Sequence, residues 1–593
     1  MQNFDALGDA EKLVWRAAQD GVLCDLALAP RLGSATSSGS GSEQTVRATV
    51  LADFLRGLSP DGGEARAIRI SNARIEGPLD LEASRIVCAL ELSDCELDHE
   101  VRIGEATGTR ISLTRSTLPA FSARQVRIRG DLILADCSIG YVDLAQARIG
   151  GCVTLSGSQI TNQIGTALNC DGVRVEGDMF FNRTQLAGTL DLYGARISGQ
   201  VILLAASLAG SDDVCFVGDH LEAAGFIASD GIQAKGEIRL LGATIHGQVE
   251  LSGAKLSNPE GDAISCDGAV VEGDFFLKEA TTNGVIRLPG VRISGQLNLS
   301  DAHLSSDTGM ALHAPRLVVE EDVLCGAAHI SGTMHFGGAQ IRGQVNLSQA
   351  KLSGPGPSPS DSTVLLLIQA TLRHLLLPTR FQPTGVVDLT DANIGRIDDG
   401  WPRIRYIARL SGLRYDAVNP LPADIHQRIA WVSSANEGYL PQPYEQLASA
   451  LRLTGRSDDA RRVSIAKEKA RRPELGFAGR AASRFLGATV AFGYKPGRGV
   501  LLLVLLAAVG WIVFALADAH HRILAIREAT QTIPQFHAWL YSLDCVLPVI
   551  DFGQRTYWTA TGVVLVWRTF SIVAGWVVVT VTLGAVTTRL IRD

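Results

Sequence analysis

From about Ala67 to Ile394, apolar side chains alternate with polar or small ones in short runs, and the runs return at a fixed step. Five segments align without gaps: ARIGGCVTLSGSQI from Ala147, ARISGQVILLAASL from Ala195, ATIHGQVELSGAKL from Ala243, VRISGQLNLSDAHL from Val291 and AQIRGQVNLSQAKL from Ala339. Each starts 48 residues after the last. Gly151, Gly199, Gly247, Gly295 and Gly343 keep that step, and Gly188, Gly236, Gly284 and Gly332 each precede one of them by 11 residues. Gly177, Gly225 and Gly273 form a partial third set, which Glu321 breaks. In the unit at Gly199, the pattern sends Val201, Leu203, Ala206 and Leu208 to one side. A period of two is a strand signal, and 11 residues are too few for a strand plus a helix. Two steps make a coil of 22 residues, and a coil of 26 completes the 48. The prediction is a mainly β solenoid over 61–396, with roughly fourteen coils stacked at about 4.8 Å. Glycines are expected at corners and small alanines where coils stack closely.

The longer coils carry extra residues after Ile160, Leu208, Leu256 and Leu304, and a longer tract, SGPGPSPSDS, follows Leu352. These excursions are expected on one edge, either as solvated loops or as a partner-binding rim. The repeat resembles pentapeptide-repeat-like β-solenoids with degenerate spacing, and that resemblance implies a right-handed coil. Both coil ends need covering. Residues 1–60 are expected to form an N-terminal helical cap with a Gly/Ser linker from Gly33 to Ser42. Residues 397–475 are expected to supply a helical hairpin spacer, similar to one tetratricopeptide-type unit. Tyr444, Leu447, Ala448, Leu451, Ala460 and Val463 would form its shared face.

Residues 476–593 read as a membrane domain, with transmembrane helices near 500–517 and 569–588. Arg480, Arg484, Lys495 and Arg498 precede the first span, and Arg589 and Arg592 follow the second. By the positive-inside bias both termini are expected in the cytoplasm, at an inner (plasma) membrane. The opening residues lack a signal peptide's basic and apolar regions, which agrees with that topology. Between the spans, 539–552 is too short to cross and carries Asp544, Pro548 and Asp551. It reads as a re-entrant or interfacial segment, and Arg568 is a candidate partner for either aspartate. Helix, dipping segment and helix also outline a pore, though no TVGYG-type filter is present.

Composition narrows the chemistry. Net charge is −7 with pI near 6.0, which argues against nucleic acid as a partner. The hydrophobic share of 46% beside 19% charged residues supports a membrane part. Ten cysteines are scattered singly, with no CxxC and no zinc spacing, and read as small apolar fillers in a reducing compartment. No dinucleotide fingerprint, P-loop, HExxH, nucleophile elbow or haem motif occurs. No catalytic residue, metal site or cofactor is predicted. His246, His303, His329 and His335 fall at outward repeat positions. Glu176, Asp178, Glu272 and Asp274 recur on one face, as turn-capping acids or as a cation site.

Several stretches resemble a family of bacterial, mainly actinobacterial, membrane proteins, some labelled "membrane-associated oxidoreductase". They are EKLVWRAAQDGVLCDL, PYEQLASALRLTGRSDDARRV, AFGYKPGRGV, YSLDCVLPVIDFGQRTYW and GWVVVTVTLGAVTTRLIRD. The resemblance implies a bacterial inner membrane. Three functional readings follow: a non-enzymatic membrane-tethered scaffold with an unknown protein partner, an oligomeric channel or membrane effector gated by the solenoid, and an oxidoreductase on the family label alone.

Overall fold

The structure is a computed structural model that describes residues 4–28, 44–355, 362–381, 383–401, 406–421, 424–435, 438–495, 497–526, 534–547 and 549–592. It divides into two compact units, Met1–Leu421 and Pro422–Asp593. Of the tract after Leu352, residues 356–361 lie outside the described ones.

The first unit is a parallel-strand β-solenoid of about 15 turns. Each coil has four sides, because its strands are short and separated by tight corners. Arg174–Val175, Met179–Phe180 and the two ends of Gln185–Asp191 form one circuit. Corresponding strands of successive coils pair in parallel, as in Arg174↔Arg196 and Met179↔Val201. Inward positions fill the interior: Ile197, Val201, Leu203, Ala206, Leu208 and Phe216 are all buried. Coil strands also lie outside 61–396. Leu23–Asp25 pairs with Leu23↔Arg69, and Arg414–Asn419 still pairs with the coil at Asn393.

Helices α1 (Asp9–Asp20) and α2 (Ala48–Leu55) belong to this unit, and Val14, Trp15, Leu51 and Phe54 turn their apolar faces inward. The buried Glu11 receives the Arg47 guanidinium at 2.6 Å. Burial opposes its charge, but hydrogen bonds from Arg47 and from the Gly8 and Arg47 backbones outweigh it and lower its pKa.

The two main glycine sets serve different needs. At Gly199 a Cβ would collide with Asp178 and the Gly177 backbone of the coil below, so the requirement there is close approach. Gly188, Gly236, Gly284 and Gly332 instead have φ of +121°, +109°, +136° and +127°. They face the extra residues of the longer coils. Those residues are bulged strands rather than the expected loops: Gln159–Asn169, Ser207–Val217, Lys255–Ser265 and His303–His313 each have 11 residues and shift register midway. Asn162 and Asn258 close their bulges by donating to the carbonyls of Thr166 and Asp262, at 2.8 and 2.9 Å.

In the second unit, α3 (His426–Ser434) precedes an antiparallel pair, α4 (Pro441–Leu453) and α5 (Ser457–Ala470). All six apolar residues expected on the shared face of that pair are buried. Next come α6 (Phe477–Thr489) and α7 (Gly497–Ala519), then α8 (Ala538–Val546), α9 (Gln554–Tyr557) and α10 (Val563–Arg592). Two helices are long and apolar enough to cross a membrane, over Gly497–Ala519 and Val563–Thr587. At 1.5 Å per residue their 23 and 25 residues reach about 35 and 38 Å, more than a hydrocarbon core of about 30 Å. Leu501, Leu505, Ile512, Phe570, Val573 and Leu583 on these helices are exposed.

Candidate functional site

Three places gather side chains that chemistry could use: the short helix between the apolar helices, and two grooves on the outer sides of the solenoid.

Helix α8 rests against α7 and α10 at glycines. Ser542 donates to the Ala507 carbonyl at 2.7 Å, and a Cβ at Gly510 would strike Ser542. A Cβ at Gly575 would strike the Val546 carbonyl. Tyr541 is wholly buried, edge-on to Phe514 at 4.8 Å. Asp544 is buried too, and both carboxylate oxygens accept backbone N–H groups, from Phe552 at 3.1 Å and Arg555 at 2.7 Å. Its role here is to fold the chain back after α8 and cap α9. Asp551 is exposed and accepts the Gly553 N–H at 2.8 Å. Pro548 lies outside the described residues. Arg568 is half-buried beside Tyr541 and Cys545. Among the described residues it makes no ion pair with Asp544 or Asp551, because backbone amides hold those carboxylates, and its Nε has no hydrogen-bond partner.

The acids repeated on the solenoid act between coils. Asp178 and Asp274 accept the N–H groups of Gln200 and Gln296, at 2.8 and 2.9 Å. Asp131 and Asp322 do the same for Cys152 and Gln344, at 3.0 and 2.8 Å. These are the turn-capping acids of the repeat, and no His/Cys/Asp/Glu cluster fit for a metal occurs among the described residues. Glu272 instead meets His246 at 3.1 Å, and that hydrogen bond raises the imidazole pKa. All ten cysteines are free. Burial pushes the thiols of Cys88, Cys95 and Cys137 up to about 11, and those of Cys215 and Cys325 to about 12. Thiols so held are protonated and poor nucleophiles.

The first groove, of about 510 Å³, runs over an arginine column. Register places Arg85, Thr107, Arg127, Arg148, Arg174 and Arg196 on successive rungs of one side. The second, of about 700 Å³, follows His303, His329 and Lys351 on another side, with Arg380 and Phe381 opposite. The two imidazoles stack at 4.7 Å with planes 2° apart, and the Lys351 ammonium lies 4.9 Å from the Phe381 ring centre. The alternation that revealed the strands contained both columns, but only the coil register aligns residues about 20 apart.

No family model, curated protein or solved structure matches the chain.

Proposed function

We propose that this protein is a non-enzymatic, membrane-tethered scaffold whose β-solenoid binds a protein partner along its outer sides. The observation that carries the reading is the pair of grooves built from like side chains repeated rung after rung. A stack of parallel coils holds such columns at fixed spacing, which suits recognition of an elongated partner. The acids between coils are committed to backbone amides, and the most buried thiols to packing, which leaves the outer columns as the available chemistry.

The tether is the pair of apolar helices. Arg480, Arg484, Lys495 and Arg498 before the first, and Arg589 and Arg592 after the second, support a hairpin with both termini in the cytoplasm. A bacterial inner membrane is the proposed location, on the sequence resemblance. Photo-crosslinking groups placed on single outward residues of the full-length chain in its native membrane test the scaffold reading. Crosslinks to another polypeptide from at least one solenoid side are expected, and their absence from every side would overturn it. The channel reading gains no comparable observation, because Asp544 is engaged by the backbone and α8, at nine residues, is too short to span.

A further inference from the structure

Several outward arginines of the solenoid have a carboxylate from an adjacent coil, while others, such as Arg110, Arg183 and Arg316, stand singly and form no ion pair among the described residues. Arg115 meets Asp94 at 2.6 Å, Arg74 meets Asp98 at 3.1 Å, Arg287 meets Asp267 at 2.7 Å and Arg409 meets Asp388 at 3.2 Å; Arg239 likewise pairs with Asp219. The column at Arg127 differs from both, because its arginines adjoin one another on successive rungs. Arginine stacks on arginine through Arg127↔Arg148, Arg148↔Arg174 and Arg174↔Arg196, and Arg85 lies two rungs before Arg127. All five are exposed. Among the described residues, Arg85, Arg127, Arg148 and Arg174 form no ion pair, in a chain whose net charge is −7. Like charges directly opposite one another across strands are destabilising, so the fold itself gains nothing from this column. Elsewhere the same outward position carries Thr244, Val270, a single Arg292 and Val318.

We infer that the Arg85–Arg196 column binds an extended acidic segment of a protein partner, laid along the stack of coils. The inference rests on the scaffold reading and names the partner's chemistry. The column itself shows the complementary group: on the next rung, Glu222 meets Arg196 at 3.4 Å. An acidic strand would give Arg127, Arg148 and Arg174 the carboxylates that Glu222 gives Arg196. The charge forms a line rather than a plane. The adjoining outward positions include Thr109, Gly150, Glu176 and Ser198, with Arg129 the added cation. A thread fits a single line of charge better than a flat bilayer does. The groove lining has no aromatic ring, so the stacking by which single-stranded nucleic acid is held is missing. Six rungs at about 4.8 Å cover about 24 Å, and side chains on one face of a strand recur at about 6.7 Å, so a segment of seven or eight residues spans the column. Guanidinium forks suit carboxylates bidentately, and their long stems absorb the difference in spacing.

The test uses the full-length protein in neutral detergent and a fluorescein-labelled eight-residue peptide of alternating Glu and Ser, read by anisotropy at low salt. Saturable binding is expected that weakens as salt rises. R127S/R148S/R174S should weaken it at least tenfold, while the lysine triple variant, which keeps charge and fold, should stay within a few-fold of the parent. R292S is the control: Arg292 occupies the same column between Val270 and Val318. It should leave binding unchanged. The inference falls if the peptide does not bind, or if the serine triple variant binds as the parent does. It also falls if a Lys–Ser peptide, an oligo-dT strand or phosphatidylglycerol vesicles compete for these arginines better than the acidic peptide. Such a failure, with crosslinks still formed from other solenoid sides, would leave the scaffold reading intact.

Discussion

Glycine does the same geometric work in the two units of this protein against different opposing surfaces. In the solenoid it lets one coil's backbone settle on the next, with the Gly188 set accommodating bulged strands that no side-chain-bearing residue could face. In the second unit, Gly510 and Gly575 let a short helix sink between two apolar ones. The solenoid's contacts are backbone ladders with an aliphatic interior, so every coil depends on its neighbours. Close helix approach at small residues is instead the packing mode that works without a hydrophobic drive, as inside a bilayer. A methyl group added in each place should therefore fail differently.

The largest effect is expected at Gly188→Val. Its φ of +121° and the Asn162 carbonyl both exclude a β-branched side chain. Backbone strain and overpacking of about 1–3 kcal/mol each should lower the solenoid's unfolding free energy by about 3 kcal/mol or more. Gly194→Asn sharpens the point, since Gly194 has φ +59° with open space around it and asparagine tolerates that region. Its cost should stay below about 1 kcal/mol. Equal losses for the two, in urea titrations followed by far-UV circular dichroism, would refute the assignment of the Gly188 set to the bulges.

Gly575→Val should come next, costing the helical unit about 1–3 kcal/mol by pushing α8 off α10. Tryptophan fluorescence in detergent should report the change, with Trp567 beside the cluster of Phe514, Tyr541 and Cys545, while the solenoid's unfolding midpoint stays put. Within the solenoid, Asp178→Ala leaves the Gln200 N–H without its acceptor and should cost about 1.5–3 kcal/mol.

How much of this was legible without coordinates follows from the same contrast. The 48-residue step and the inward set Val201, Leu203, Ala206 and Leu208 are readable because each coil repeats one local rule. The apolar helices are readable because length and lack of charge suffice. The bulges escaped, since inserted residues such as TNQIGTALN look like loop; only the positive-φ glycine opposite them, recurring 11 residues before the corner glycine, hints at a strand. Arg568 and Asp544 look like a natural pair in sequence, yet the turn after α8 supplies two N–H groups to Asp544 first. The arginine column is invisible to any local pattern. Arg127, Arg148 and Arg174 become neighbours only through coils of unequal length.

A smaller, pH-dependent effect separates histidines on the same solenoid. Burial lowers the pKa of His313, and burial together with His313 lowers that of His335; the two rings meet at 3.3 Å. Groups depressed in the folded state favour it above the unfolded pKa of about 6.5, and that advantage is lost as pH falls through the lower folded values. Melting temperature should therefore drop between about pH 7 and 5, and H313N/H335N should flatten part of that slope. His246 has the opposite sign. Its pKa is raised by Glu272, so its contribution is present below about 6.5 and fades as pH rises through the folded value.

The smallest effect tests the arginine column without any ligand. If Arg127, Arg148 and Arg174 repel one another across adjacent rungs, then R127S/R148S/R174S should raise stability, by about 0.2–1 kcal/mol per relieved contact at most, and less for side chains this exposed. The gain should shrink in high salt, because screening already weakens the repulsion in the parent. Arg115→Ser is the counterpart, since it breaks a pair with Asp94 and should be neutral or slightly destabilising. Opposite signs for the two substitutions, measured by thermal melts at low and high ionic strength, would show that this column is held against the solenoid's own stability. A loss in both would mean that the arginine stems are packing material, and the column would need no partner to explain it.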